Sequence, residues 1–125
     1  MNKRKIGSEK EEKAAEYLRG QGYEIVDRNY HCRFAEIDII ARELSDEGTE
    51  YLCFVEVKYR DSDRYEAPEG VISYGKQKKI SQGAAFYLKE KRLLSDTPVR
   101  FDVVFMLGDE IQLIRNAFEF VGSGY

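Results

Sequence analysis

The apolar and polar positions of the chain change period several times, and each change predicts an element. From about Gly7 to Arg19, Ala14, Ala15, Tyr17 and Leu18 fall near i, i+3, i+4 spacing with Glu11 one turn before. That spacing predicts a helix, which "GQG" at 20–22 stops. "YEIVDRNY" (23–30) and "AEIDIIAR" (35–42) are rich in β-branched and aromatic residues and read as strands. "ELSDEG" is a turn, and residues 50–59 form a third strand. "DSDRYEAPEG" (61–70) is a polar loop with Pro68 and Gly70. A second helix is expected from about Lys76 to Arg92, with Ile80, Ala84, Tyr87 and Leu88 on its apolar side. Residues 99–107 and 110–118 form a hairpin across Gly108–Asp109, a pair suited to a tight turn. The order is α-β-β-β-α-β-β, without internal repeat or linker. Residues 1–125 therefore read as one α/β domain, a central mixed sheet of about five strands flanked by helices.

Alternation within the third strand raises a chemical question. Cys53, Val55 and Val57 point to one face, and Leu52, Phe54, Glu56 and Lys58 to the other. Both faces are apolar through Val55, so the sheet is covered on both sides and Glu56 and Lys58 stand at the rim of the core. An ionised carboxylate there needs a partner or a metal. In "EIDII", Ile37 and Ile39 are expected on one face, with Glu36, Asp38 and Ile40 on the other. Antiparallel pairing centred near Glu47 places Asp38 across from Glu56 and Glu36 across from Lys58. A slip of two residues sets Glu36 opposite Glu56 and leaves Asp38 diagonal to it. Either register brings three carboxylates and an ammonium to one end of the sheet.

Carboxylates held that close repel unless a proton or cation lies between them. A hard divalent cation, Mg2+ or Mn2+, is bound by one or two carboxylates, a backbone carbonyl and waters. A lysine beside it can orient an attacking water or stabilise charge on a phosphate oxygen. Such equipment suits metal-assisted hydrolysis of a phosphodiester. The competing reading is an Asp38–Lys58 or Glu36–Lys58 pair that only closes a sheet edge.

Composition narrows the field. Hydrophobic residues make up 42% and charged residues 34%, an ordinary globular balance. Twenty basic against 23 acidic residues give a net charge of −3, which argues against non-specific coating of nucleic acid. The positive charge is nonetheless clustered, at Lys3 to Lys5, at Lys76, Lys78 and Lys79, and at Lys89, Lys91 and Arg92. A single histidine, His31, and two cysteines, Cys32 and Cys53, are too few for a structural zinc site or a histidine-based triad. The cysteines are expected as reduced thiols. No apolar run approaches the ~20 residues of a membrane helix, and the basic N-terminus lacks a signal peptide's apolar segment. A cytoplasmic protein without membrane contact is the expectation.

At this point "AEIDIIAR", "FVEVKYR", "KQKKI" and "RFDVVFM" together resemble the PD-(D/E)xK nucleases, with their restriction-endonuclease-like core. More closely, the chain resembles the YraN-like family of predicted endonucleases, from "GSEKEEKAAEYL" to "IQLIRNAF". The resemblance implies that Asp38 binds metal, that Glu56 is the second ligand and that Lys58 positions water or stabilises charge. Val57 would contribute its carbonyl, Glu11 would extend the metal site, and Gln77 would lie close by as a polar catalytic neighbour. Ala35 departs from the family's glycine before the Glu-Ile-Asp run, a small change at a place of close backbone approach.

The partner implied is nucleic acid, DNA by analogy. Arg28, Asn29, Arg33, Arg60, Lys76, Lys78 and Lys79 are the candidate phosphate contacts. Tyr59, Tyr65 and Tyr74 are candidates for stacking on bases. No recognition helix or zinc finger is present, so base-sequence reading is not expected. Holliday junction resolvases share this core, which directs attention to branched or single-stranded DNA and to a homodimer carrying two active sites. The alternatives are a non-catalytic nucleic-acid-binding or adaptor module on the same fold and a protein-interaction domain.

Overall fold

The computed structural model describes residues 3–60, 72–93 and 96–122. Its elements run α1 (Lys3–Gly20), β1 (Glu24–His31), β2 (Glu36–Leu44), β3 (Glu50–Arg60), α2 (Tyr74–Glu90), β4 (Val99–Leu107) and β5 (Glu110–Phe118). The α/β order read from the sequence is the observed one, with boundaries shifted by a few residues at the helix ends. The expected loop at 61–70, with Tyr65, lies outside the described residues.

The five strands form one sheet in the order β1-β2-β3-β4-β5. β3 and β4 pair in parallel, with α2 as their crossover, and every other pairing is antiparallel. The two parallel strands are buried almost without interruption, as expected of strands covered on both faces. On one side Ala14, Ala15 and Leu18 of α1 pack on Ile39, Ala41, Cys53, Val55, Val57, Val104 and Met106. On the other, Ile80, Ala84, Tyr87 and Leu88 of α2 pack on Ile37, Ile40, Leu52, Phe54, Phe101, Val103 and Phe105. Cys53 belongs to the first layer, whereas Cys32 packs against the second, and both are free thiols.

Local chemistry sets the helix ends. α1 closes in a Schellman turn at Gly22 (φ 101), with Tyr23 N–H donating to the Leu18 carbonyl and Gly22 N–H to that of Arg19. α2 begins two residues before the expected Lys76, because the Ser73 hydroxyl accepts the Lys76 N–H at 3.2 Å and caps the first turn. Gly83 brings α2 close to the sheet: a Cβ there would stand 3.3 Å from both Ala35 Cβ and Ile37 Cδ1. That contact leaves little room for a larger residue at Ala35.

β2 and β3 pair from Leu44↔Glu50 to Ile39↔Val55, symmetric about residue 47 as expected. The face assignment within β2 is corrected. Ile37 packs on the α2 side and Ile39 on the α1 side, although they are two residues apart. The chain leaves the regular pleat at Asp38, which faces the left-handed Asn29 (φ 52) of β1 between the pairs Arg28↔Ile39 and Tyr30↔Ile37. Among the described residues, no helix is long and apolar enough to cross a membrane.

Candidate active site

The break in β2 is what turns Asp38 into a site residue. The ladder between β2 and β3 ends at Ile39↔Val55, and beyond it the Asp38 carboxylate takes over the role of a strand partner. Its Oδ2 accepts the Val57 N–H at 2.8 Å. Glu56 follows the row of Leu52 and Phe54 to the α2 side, where it is buried at 6% exposure. Lys58, next in that row, is half-buried. From α2, Lys76 reaches down and places Nζ 2.7 Å from Glu56 Oε1. Gly7 and Glu11 of α1 join these residues, with Val57, Tyr59 and Arg60, around a cleft of about 370 Å³.

The charged groups of this cleft shift one another's protonation. Burial pushes the Glu56 carboxyl up to about 7, and the neighbouring Asp38 charge adds to the shift against the pull of Lys76. Burial also raises Asp38, although the Val57 N–H and both lysines oppose the change. Glu11 is raised by burial and then by Asp38. Lys58 is lowered, first by burial and then by the Lys76 ammonium beside it. Lys76 stays charged: burial acts to lower it, but the hydrogen bond and charge of Glu56 raise it overall. Three acids, two ammoniums and the Arg60 guanidinium thus share a partly dry cleft.

A divalent cation fits this donor set. Asp38 keeps one carboxylate oxygen outside its bond to Val57, and Glu56 already holds a cation in the form of an ammonium. Among the described residues, no group of three or more His, Cys, Asp or Glu side chains forms a ready-made cage. Mg2+ seldom uses such cages; it takes one or two carboxylates and keeps waters. Asp38 and Glu56, with the Val57 carbonyl, are the residues that would hold it.

Other expected site residues lie elsewhere. The Gln77 amide donates to the Ile72 carbonyl at 3.0 Å and does not line the cleft. Its sequence neighbour Lys76 occupies the position by the carboxylates instead. Glu36 is exposed and sits 3.3 Å from His31 Nδ1, so it reaches the site only through its charge on Asp38 and Glu11. The antiparallel ladder that would set it against Lys58 has ended by then. Of the candidate phosphate contacts, only Arg60 and Lys76 line the cleft. Arg28 pairs with Glu12 of α1 at 3.3 Å, and Arg33 lies over the Phe34 ring at 4.9 Å. Asn29, Lys78 and Lys79 are exposed. Tyr59 lines the cleft at 38% exposure and Tyr74 is 69% exposed on the first turn of α2.

A second charged cluster, not anticipated from the sequence, occupies the α1-side face at the opposite end of the strands. Asp102 of β4 is fully buried. It accepts two bonds from Arg100, at 2.9 and 2.8 Å, one from the Tyr23 hydroxyl at 2.7 Å and one from the Asn116 N–H at 2.9 Å. Glu43 of β2 accepts from Arg100 and takes the fork of Arg115 at 2.9 and 2.7 Å. Burial acts to raise Glu43, but the two guanidiniums more than offset it and hold the carboxyl low. The signal available in the sequence was an acid inside each of two apolar runs, "VRFDVVFML" and "IDIIAREL".

The profile of the uncharacterised protein family UPF0102 matches residues 10–106 of this sequence, which include every residue of the cleft except Gly7. The chain belongs to the UPF0102 family. A UPF0102 protein of Lachnoclostridium phytofermentans is 52% identical over 123 residues, covering 98% of this chain and all of the relative. Those of Desulforapulum autotrophicum and Syntrophus aciditrophicus are 45% and 47% identical over 121 and 113 residues. They cover 94% and 87% of this chain, and 95% and 84% of the relatives. This agrees with the YraN-like resemblance read from the motifs.

Proposed function

We propose that this protein is a metal-dependent endonuclease that hydrolyses phosphodiester bonds of DNA, with branched or single-stranded structures as its substrates. The observation that carries the reading is the meeting of Asp38 and Glu56 in one cleft, where burial pushes both carboxyls upward and the Asp38 charge raises Glu56 further. A purely structural edge pair would instead lower its acids. Asp38 and Glu56 would hold Mg2+ or Mn2+ with the Val57 carbonyl. When bound, the cation would polarise the phosphate and lower the pKa of a water ligand.

The remaining chemistry belongs to the chain. The Val57 N–H fixes one oxygen of Asp38 and so orients the carboxylate. The half-buried Lys58 presents an ammonium whose proton burial loosens, which suits it to hold or accept a proton from an attacking water. Arg60, on the same strand and on the cleft wall, supplies a guanidinium for the phosphate backbone.

The test is cleavage of labelled single-stranded, duplex and four-way DNA in Mg2+ or Mn2+. Asp38→Ala, Glu56→Ala and Lys58→Ala should each lose roughly 10³-fold or more in rate while remaining folded. Cleavage that persists in all three purified variants refutes the assignment.

A further inference from the structure

We propose that Lys76 is an exchangeable counter-ion: its ammonium occupies the Glu56 carboxylate in the absence of metal, leaves when a divalent cation binds, and then faces the substrate phosphate. The inference rests on the metal-dependent reading above and adds to it both a residue and an opening step.

The asymmetry of the pair is the first reason. The Glu56 side chain is 7% exposed and fixed on a central strand, whereas that of Lys76 is 40% exposed on a flexible stem. The lysine is the member that can leave. It lines the same cleft, so a released ammonium remains where a phosphate would lie.

The second reason is local. Lys76 stands in the first turn of α2, three residues after the capping Ser73, and that turn contains no acidic residue. A cation there opposes the helix dipole, which favours acids at the N-terminus. A residue that contradicts its local setting needs a compensating contact, and here the contact is Glu56. The third reason is charge. The Lys76 ammonium at hydrogen-bond distance serves only the buried Glu56 and not the half-buried Asp38, whereas a divalent cation would serve both and would repel the lysine.

Two measurements test this without recourse to cleavage. In wild-type protein, reductive methylation read by mass spectrometry should modify Lys76 several-fold faster in saturating Mg2+ than in chelator. The exposed Lys78 and Lys79 serve as internal standards. Calorimetric titration of Lys76→Met should show Mn2+ binding about fivefold tighter than wild type, the factor expected from removing a half-exposed competing ion pair. Unchanged Lys76 labelling in saturating metal, or equal or weaker Mn2+ binding by the folded variant, overturns the proposal while leaving the metal reading intact. Absence of Mn2+ binding by both proteins overturns the metal reading and this inference with it. Should the variant fail to fold, the labelling of wild type decides alone.

Discussion

At the rim of the sheet, Asp38 and Glu56 share a half-dry cleft with Lys58 and Lys76; at the opposite strand ends, the buried acids Glu43 and Asp102 pair with the buried Arg100 and the more exposed Arg115. Each cluster has two central acids and two bases. In the second, both acids receive planar guanidinium forks, and Asp102 also takes a tyrosine hydroxyl and a backbone N–H. Its lone pairs are filled, which is the condition under which a buried ion pair is tolerated. In the first cluster, the bases are point charges on flexible stems, and one of them contacts one acid. Its two carboxyls are raised, whereas Glu43 is lowered. The difference separates acids whose lone pairs the protein fills from acids that it leaves partly unmatched.

The largest effect is expected in the satisfied network. Asp102→Ala would take from buried Arg100 one of its two carboxylate partners, would leave the Asn116 N–H and the Tyr23 hydroxyl without their acceptor, and should cost about 4 kcal/mol in urea unfolding, the usual penalty for breaking a buried pair from one side. A loss below about 1 kcal/mol, the level of a surface pair, would collapse the contrast between the clusters.

A smaller effect of opposite sign is expected at the rim. With its folded pKa raised to about 7, Glu56 retains a proton that the unfolded chain has released above pH 4.5. Stability conferred by this group therefore falls as pH rises from about 4.5 to about 7, and the cost is complete above that window. In chelator at pH 8, Glu56→Gln should gain roughly 2 kcal/mol over wild type, with the gain fading toward pH 4. A variant less stable than wild type at pH 8 would place Glu56 with the structural ion pairs.

The same contrast explains what the sequence could disclose. Strand alternation and turn residues were enough for the order of elements and narrowed the register to two, of which the one about residue 47 is observed, because those depend on local chemistry and the two-residue period. Alternation also located Glu56 and Lys58 at the rim. It failed at Ile37, because the pleat breaks where Asp38 trades a ladder position for a side-chain bond to Val57. The family resemblance pointed to Gln77, but one residue along a helix rotates the side chain by about 100°, which is the difference between the Ile72 carbonyl and the cleft where Lys76 stands. The Tyr23–Asp102–Arg100–Glu43–Arg115 network joins residues up to 79 positions apart, and no pattern within a single element announces it.

The most direct test of the central claim is Mn2+ titration by calorimetry at pH 8 in three proteins: wild type, Asp38→Asn with Glu56→Gln, and Arg115→Gln. Wild type and Arg115→Gln should bind Mn2+ alike, and the rim double variant should show no binding. Equal binding by all three, or its loss only in Arg115→Gln, would contradict the account.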